Sequence, residues 1–365
     1  MRDWPRGTSS PRAGQLAEGK LLVGVDIGAS SIKVVQLKES RRALSIVRFG
    51  HVDLPRDTII DGHVMNPSVV TEALQHLFAS SKISQKEVAI GVYGQSVIVR
   101  KIAMPLMTKD ELAESIGWEA EQHIPFDIKQ MSYDYEVLAR FPEEQRMDVL
   151  LVAAKRDEVS DVATIVRDAK LKPLVVDINA FAMQNALEKS LGSLPVDRTI
   201  AVVDVGAANT TINVLSKGTS AFTREIQTAG SSITEEVRKR CNLGWEQSEA
   251  YKCGAQGGLV PQDVNAAIDL ACGNLAGEVH RSLDFYLATS GEADITRIYV
   301  CGGGAALAPL CRAIEEKSRR PVEIFDPVLA FTVDPKVDEA ALRARGPQFA
   351  VALGLSLRRI REVRA

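Results

Sequence analysis

The sequence predicts a two-lobed α/β fold with an inserted α+β subdomain, and three observations predict it. A strand, tight turn and strand at Leu21 to Leu37 is copied at Ala201 to Leu215. In the copy Asp204, Gly206 and Ala207 repeat Asp26, Gly28 and Ala29 with no change in spacing. A third glycine motif, Gly302-Gly303-Gly304, lies between a short apolar strand and a helical run. Between the two copies, residues 97–176 read as strand, helix, strand, strand, helix, strand, enough material for a small unit of their own.

Residues 1–18, rich in Arg, Pro, Gly and Ser, read as a disordered tail. The first hairpin opens a lobe over residues 19–96. Arg42 to Leu54 alternates as a strand, Pro67 to Ser80 carries apolar residues at helical spacing, and Val88 to Val92 is a short apolar strand that Gly94 turns. In the insertion, Thr108 with Glu111 three residues on forms a capping box for a helix that Ile124-Pro125-Phe126-Asp127 stops. Ala180 to Leu191 and Phe349 to Ile360 read as helices bearing small residues, able to cross closely where the lobes join. Residues 177–198 and 345–365 are expected to complete the first lobe, and residues 199–344 to form the second. In the second lobe, helices are expected after Gly230, at Trp245 to Lys252, and from about Asp263 to Ala288.

Composition bounds the function. With 365 residues, the chain is expected to form about two to four folded units. Hydrophobic content of 45% beside 25% charged residues describes a water-soluble globular chain. A net charge of −3 and 5% aromatic residues argue against nucleic acid as a partner. Five cysteines without C-x-x-C spacing read as reduced thiols in a cytosolic protein, and five scattered histidines offer no zinc spacing. No apolar run reaches membrane-spanning length, so direct membrane insertion is not expected.

The duplicated hairpin carries the chemistry. Glycine at such a turn removes the Cβ that would block a phosphate from the backbone N–H groups, and two hairpins facing each other would clamp a polyphosphate. The expected binding residues are Gly28, Ala29, Ser30, Ser31 and Lys33 in the first hairpin, with Gly206, Ala207, Asn209, Thr210 and Thr211 in the second. Gly230, Gly302, Gly303 and Gly304 add turns that admit a ligand closely. Asp26 and Asp204 end apolar runs and are candidates to hold a hydrated Mg²⁺. Lys33 can reach a phosphate or face solvent. Glu235 with Lys239, and Glu249 with Lys252, can line the nucleotide or simply pair along their helices. Asp177, at a strand end, is a candidate water-orienting base.

These motifs resemble the actin-like (ribonuclease H-like) ATPase superfamily. The inserted subdomain resembles that of the FtsA-like branch, and the segments VGVDIGASSIKVVQL, WEAEQHIPFDI (Trp118 to Ile128, the most discriminating), LVVDINAFAMQNAL, VDVGAANTTINVL, WEQSEAYKCG and IYVCGGGAALAPL carry a closer resemblance within it. Within that branch the chain is most similar to the PilM family of type IV pilus assembly and twitching motility. The resemblance implies ATP and Mg²⁺ as cofactors between two lobes. It also implies docking of the N-terminal cytoplasmic peptide of a PilN-like inner-membrane protein beside the insertion, with the pilus motor ATPases and the platform protein as further partners. It places the protein in the cytoplasm at the inner face of the bacterial inner membrane. Division proteins of this branch carry an amphipathic membrane helix after a linker, whereas this sequence stops at Ala365, directly behind the last small-residue helix. That favours recruitment through a partner. The alternatives are a filament-forming FtsA-like membrane tether and a small-molecule kinase on the same fold.

Overall fold

A computed structural model describes residues 19–40, 43–254, 259–292 and 294–360. The tail expected at residues 1–18 lies outside the described residues. The chain begins with β1 (Val23–Ile27), β2 (Ser31–Ser40) and β3 (Ala43–Asp53), then the short ribbon β4 (Ile59–Ile60) and β5 (His63–Val64), α1 (Pro67–Ser80) and β6 (Glu87–Val92). Next come β7 (Ile98–Pro105), α2 (Lys109–His123), β8 (Met131–Phe141), β9 (Arg146–Lys155), α3 (Arg156–Asp168), β10 (Lys172–Ile178) and α4 (Asn179–Leu191). The second half holds β11 (Ile200–Val205), β12 (Thr210–Ser216), β13 (Thr219–Ile226), α5 (Gly230–Cys241), α6 (Trp245–Lys252), α7 (Gln262–Ser290), β14 (Arg297–Cys301), α8 (Ala308–Ser318) and β15 (Val322–Ile324). It closes with β16 (Thr332–Val333), α9 (Glu339–Arg343) and α10 (Ala350–Ser356).

Two sheets form the lobes: a six-stranded one in the order β10-β6-β1-β2-β3-β16 and a five-stranded one in the order β13-β12-β11-β14-β15. The central strands β1 and β11 are almost wholly buried, which is why their sequences are continuous apolar runs instead of alternating ones. Strands β1, β6 and β10 run parallel, as do β11, β14 and β15. Asp26, Tyr93, Asp204 and Gly302 therefore lie at or just beyond carboxyl ends of parallel strands, where ligands of open α/β sheets bind.

The inserted unit has a separate three-stranded sheet, β7-β9-β8. Strand β9 is buried on both sides. Val149, Leu151 and Ala153 share a core with Leu112, Ile116 and Ala120 of α2, while Leu150, Val152 and Ala154 belong to the first-lobe core. Thr108 caps α2 as the capping box predicts, accepting the Glu111 N–H at 3.3 Å and donating its own N–H to Glu111 Oε2 at 2.7 Å.

Two expected boundaries are corrected. The insertion does not run to residue 176, because β10 pairs in parallel with β6 and α3 buries Val159, Ala163, Ile165 and Val166 in the first-lobe core. Its own sheet ends with β9. The second lobe does not run to residue 344 either, because β16 pairs with β3, and Val328, Phe331 and Leu342 pack against Leu37, Leu44 and Ile46. A third difference is one of length. The helix expected over Phe349 to Ile360 is α10 alone, because the chain then straightens to accept Leu22 N–H on Arg358 O at 2.9 Å and to bridge Leu21 with Arg359. The crossing of small residues is present: a Cβ on Gly354 would lie 1.7 Å from Ala182 O, so α10 and α4 meet backbone to backbone. Helix α4 also touches the second lobe, where Asn213 Nδ2 donates to Ala180 O at 3.0 Å.

Candidate nucleotide site between two hairpins

The two hairpins have the same local geometry. Gly28 N–H donates to Ser31 O at 3.0 Å, and Gly206 N–H donates to Asn209 O at 3.0 Å. Asp26 pairs across its hairpin with Lys33, and Asp204 pairs with Thr211 at the corresponding position. The copies thus diverge where one offers a cation and the other a hydroxyl.

Asp204 is the point on which the glycine motifs converge. Gly302 has φ +79°, and a Cβ there would lie 2.1 Å from Asp204 Oδ1, so only glycine fits this close approach. Gly304 packs against Val205, whereas Gly303 faces open space. The turn before α5 is stitched to the second hairpin, with Gly230 N–H donating to Gly206 O at 3.0 Å and Ser231 N–H to Ala207 O at 2.8 Å. Lys252 is almost wholly buried and fixes that turn from behind. Its Nζ donates to Gly230 O at 3.1 Å, Thr234 Oγ1 at 2.8 Å and Glu249 Oε2 at 2.7 Å.

The two carboxylates act on each other electrostatically. Burial raises the Asp204 carboxyl to about 7, and the Asp26 and Glu225 charges push the same way, while Lys33 opposes them. Lys33 Nζ lies 3.1 Å from Asp26 Oδ2 with both groups mostly buried, so it neither faces solvent nor stands apart from the first carboxylate. Opposite Lys33 on β3 stands His51, whose pKa is pushed down to about 4 by burial and then by Arg345. Ser30 is exposed on the turn, whereas Ser31 and Thr210 are buried and Thr210 Oγ1 donates to Thr228 O at 2.8 Å.

Of three further expected site residues, Asp177 is enclosed in the first lobe, and Glu235 and Lys239 are paired along α5. Asp177 is wholly buried in the first lobe. Its Oδ2 is 3.3 Å from Arg358 Nε, and its Oδ1 accepts the Ile178 N–H at 2.8 Å. Burial raises its pKa, and a role in orienting water does not fit a carboxylate enclosed with its own guanidinium. Glu235 and Lys239 form the helical ion pair at 3.4 Å, and Glu235 is held down at about 2 chiefly by two hydrogen bonds from Arg238.

Other groups at the site carry no motif. Tyr93, just after β6, is half-buried with its hydroxyl enclosed, and its pKa is raised by burial and by Asp26, Glu225 and Asp204. Glu225 on β13 accepts Gly94 N–H at 2.8 Å and Asn209 Nδ2 at 3.1 Å, and burial raises its pKa. Tyr93, Asn179, Thr211 and Glu225 line a cavity of about 230 Å³ between the lobes. At another point the Arg56 guanidinium lies 3.9 Å from the Trp245 ring centroid, joining the loop after β3 to the start of α6. Only Gly94 and Trp245 stand out in sequence, as a turn glycine and a helix start.

The site suits a polyphosphate held with a hydrated cation. The Asp26 carboxylate, paired with Lys33, raises the Asp204 pKa, and Asn209 Oδ1 is buried without a partner among the described residues. Among the described residues no group of three or more acidic, His or Cys side chains could hold a metal ion. Among those residues no helix is long and apolar enough to cross a membrane.

Comparison with known proteins agrees with this architecture. A solved structure of the PilM-PilN type IV pilus biogenesis complex superposes with a TM-score of 0.83 at 28% identity, covering 94% of this chain and 99% of that one. MreB of Spiroplasma citri bound to AMPPNP shares the actin-like fold, with a TM-score of 0.51 at 12% identity, over 93% of this chain and 95% of its own. The cell division protein FtsA of Streptococcus pneumoniae is 22% identical over 265 residues, 65% of this chain but 56% of its own length. The chain thus matches little more than half of that curated relative. The family described as type IV pilus assembly protein PilM matches residues 24–360, nearly the whole of both lobes and the insertion, and the chain belongs to that family.

Proposed function

We propose that the chain is an ATP-binding scaffold of the pilus machine. It binds Mg-ATP between its lobes and docks the N-terminal cytoplasmic peptide of a PilN-like inner-membrane protein beside the inserted subdomain. The observation that carries the nucleotide half is the convergence of two register-matched hairpins and the Gly302 turn on Asp204, with the Asp26 carboxylate acting on it. The turn amides of Ala29, Ser30 and Ser31 and those of Ala207 and Asn209 would bind phosphate oxygens, with Gly28 and Gly206 closing the two turns and Lys33, Thr210 and Thr211 beside them. Gly230, Gly302, Gly303 and Gly304 would admit the remainder of the nucleotide, and Lys252 holds the Gly230 turn in place. Asp26 and Asp204 would hold Mg²⁺ through water, where the cation offsets both carboxylates and the polyphosphate. The relative solved with PilN and the MreB neighbour bound to AMPPNP support the partner and the nucleotide respectively. Binding to PilN would place the protein at the inner face of the membrane without a span of its own.

The kinase reading loses ground because its one candidate base, Asp177, is enclosed with Arg358. The test is calorimetric titration of the full chain with Mg-ATP. Asp26→Ala and Asp204→Ala should each weaken binding about tenfold or more, since a charge-assisted, metal-linked contact is removed. Wild-type affinity in both variants would overturn the two-hairpin site.

A further inference from the structure

We propose that Glu225 is the positioning residue through which the second hairpin controls the lead-in to the inserted subdomain. The proposal rests on the nucleotide reading above and names how that site would be coupled to the insertion. Glu225 receives donors from both lobes. Its Oε2 accepts Asn209 Nδ2 at 3.1 Å from the second turn, and its Oε1 accepts Gly94 N–H at 2.8 Å from the first lobe. Thr211 Oγ1 lies 3.5 Å from that same Oε1. Gly94 has φ +122°, a conformation that side chains disfavour, so glycine presents its N–H to the carboxylate without strain.

The segment after Gly94 gives the contact its reach. Val97 N–H returns to Gly94 O at 3.0 Å, and β7 begins at Ile98. Ser96 Oγ hydrogen-bonds Glu158 on α3. The lead-in is therefore tied to the second lobe by Glu225 and to the first lobe by Glu158. Asn209 is the shared element, because it is also an expected phosphate ligand of the second turn. A phosphate that draws the Asn209 amide away removes one of the donors on Glu225. A partly buried carboxylate with fewer donors holds its remaining ones more strongly, the shorter of which is Gly94 N–H. Nucleotide binding would thereby tighten the lead-in to β7.

Hydrogen exchange on the full chain tests this, with Mg-ATP affinity measured first by calorimetry so that every sample is saturated. In the wild type, Mg-ATP should slow exchange over residues 94–105 by about fivefold or more, the low end of typical coupling between sites. In Glu225→Gln, which is isosteric, that slowing should fall to less than about twofold at saturation. Glu225→Asp, too short to span both donors, should behave likewise and supplies the comparison if the Gln variant does not fold. Wild-type protein that binds Mg-ATP with no change over 94–105 overturns the coupling, as does a variant that retains the full nucleotide-dependent slowing. Faster exchange by the same factor with and without nucleotide would mark Glu225 as merely structural and overturn it too. Wild-type protein that fails to bind Mg-ATP instead removes the nucleotide reading, and the coupling falls with it.

Discussion

Asp204 carries a cost that its ligand would relieve. Its carboxyl is raised to about 7 by burial and by Asp26, so folding disfavours its ionised form. With the folded pKa above the unfolded one, the Asp204 contribution to ligand-free stability is fully present below about 3.8, is lost progressively as pH rises to about 7, and levels off above it. His51 acts in the opposite sense, since a pKa near 4 costs stability only as pH drops below the ordinary histidine value of about 6.5. Between pH 6.5 and 8 the Asp204 effect therefore stands alone of the two. Asp204→Asn should stabilise the ligand-free protein at pH 8 by about 1–2 kcal/mol and flatten that pH dependence, while weakening Mg-ATP binding. Thermal melts of both proteins across this window check it, and equal slopes would refute it. At this scale the repeat was legible in the sequence, since Asp26 and Asp204 occupy matching positions in two hairpins of the same register. The sequence was silent on Tyr93 and Glu225, whose surroundings are assembled from segments far apart in the chain. It misled on Asp177, because a strand-end aspartate reads the same whether it meets solvent or Arg358.

Among elements, the pairing of α4 with α10 shows how much a helical glycine can mean. Gly354 lies against the Ala182 backbone, where a Cβ would sit 1.7 Å from the carbonyl oxygen, whereas Gly273 in α7 has nothing within 4 Å of its Cβ position. Both are helical, so propensity alone would have alanine stabilise both sites by about 0.5–1 kcal/mol. The expected result is a split. Gly273→Ala should raise stability by about that amount, whereas Gly354→Ala should lower it by about 2 kcal/mol or more, because the helices must separate. Denaturant unfolding of the two variants decides between packing and propensity; stabilisation by both would show that the crossing can relax. Small-residue spacing made this crossing visible in the sequence. The end of α10 was not, because apolar periodicity continues past Ser356 while the Leu22 N–H, just ahead of β1, claims the carbonyl of Arg358.

On the scale of the whole molecule, the topology decides how the docking role of the insertion can be tested. The order of elements was legible, but a strand carries no mark of the sheet it joins, so β10 read as part of the insertion although it pairs with β6. Deleting residues 97–176 would therefore strip an edge strand from the first sheet and remove α3 from its core, and any loss of binding would report unfolding. Deleting only residues 97–155 leaves the six-stranded sheet whole. The cut ends lie close together, since Ser96 bonds Glu158 and Ile98 pairs with Ala153, so a short linker can close them. Loss of Leu150, Val152 and Ala154 uncovers part of the first core, so a lower melting temperature is expected and Mg-ATP binding must be confirmed first. A peptide seated beside the insertion through main-chain hydrogen bonds and a few apolar pockets would lose one wall of its groove. Affinity for the partner's N-terminal cytoplasmic peptide should then fall at least about tenfold, or 1.4 kcal/mol, in a variant that still binds Mg-ATP. Unchanged peptide affinity would assign docking to the lobes and leave the insertion some other role in the assembly.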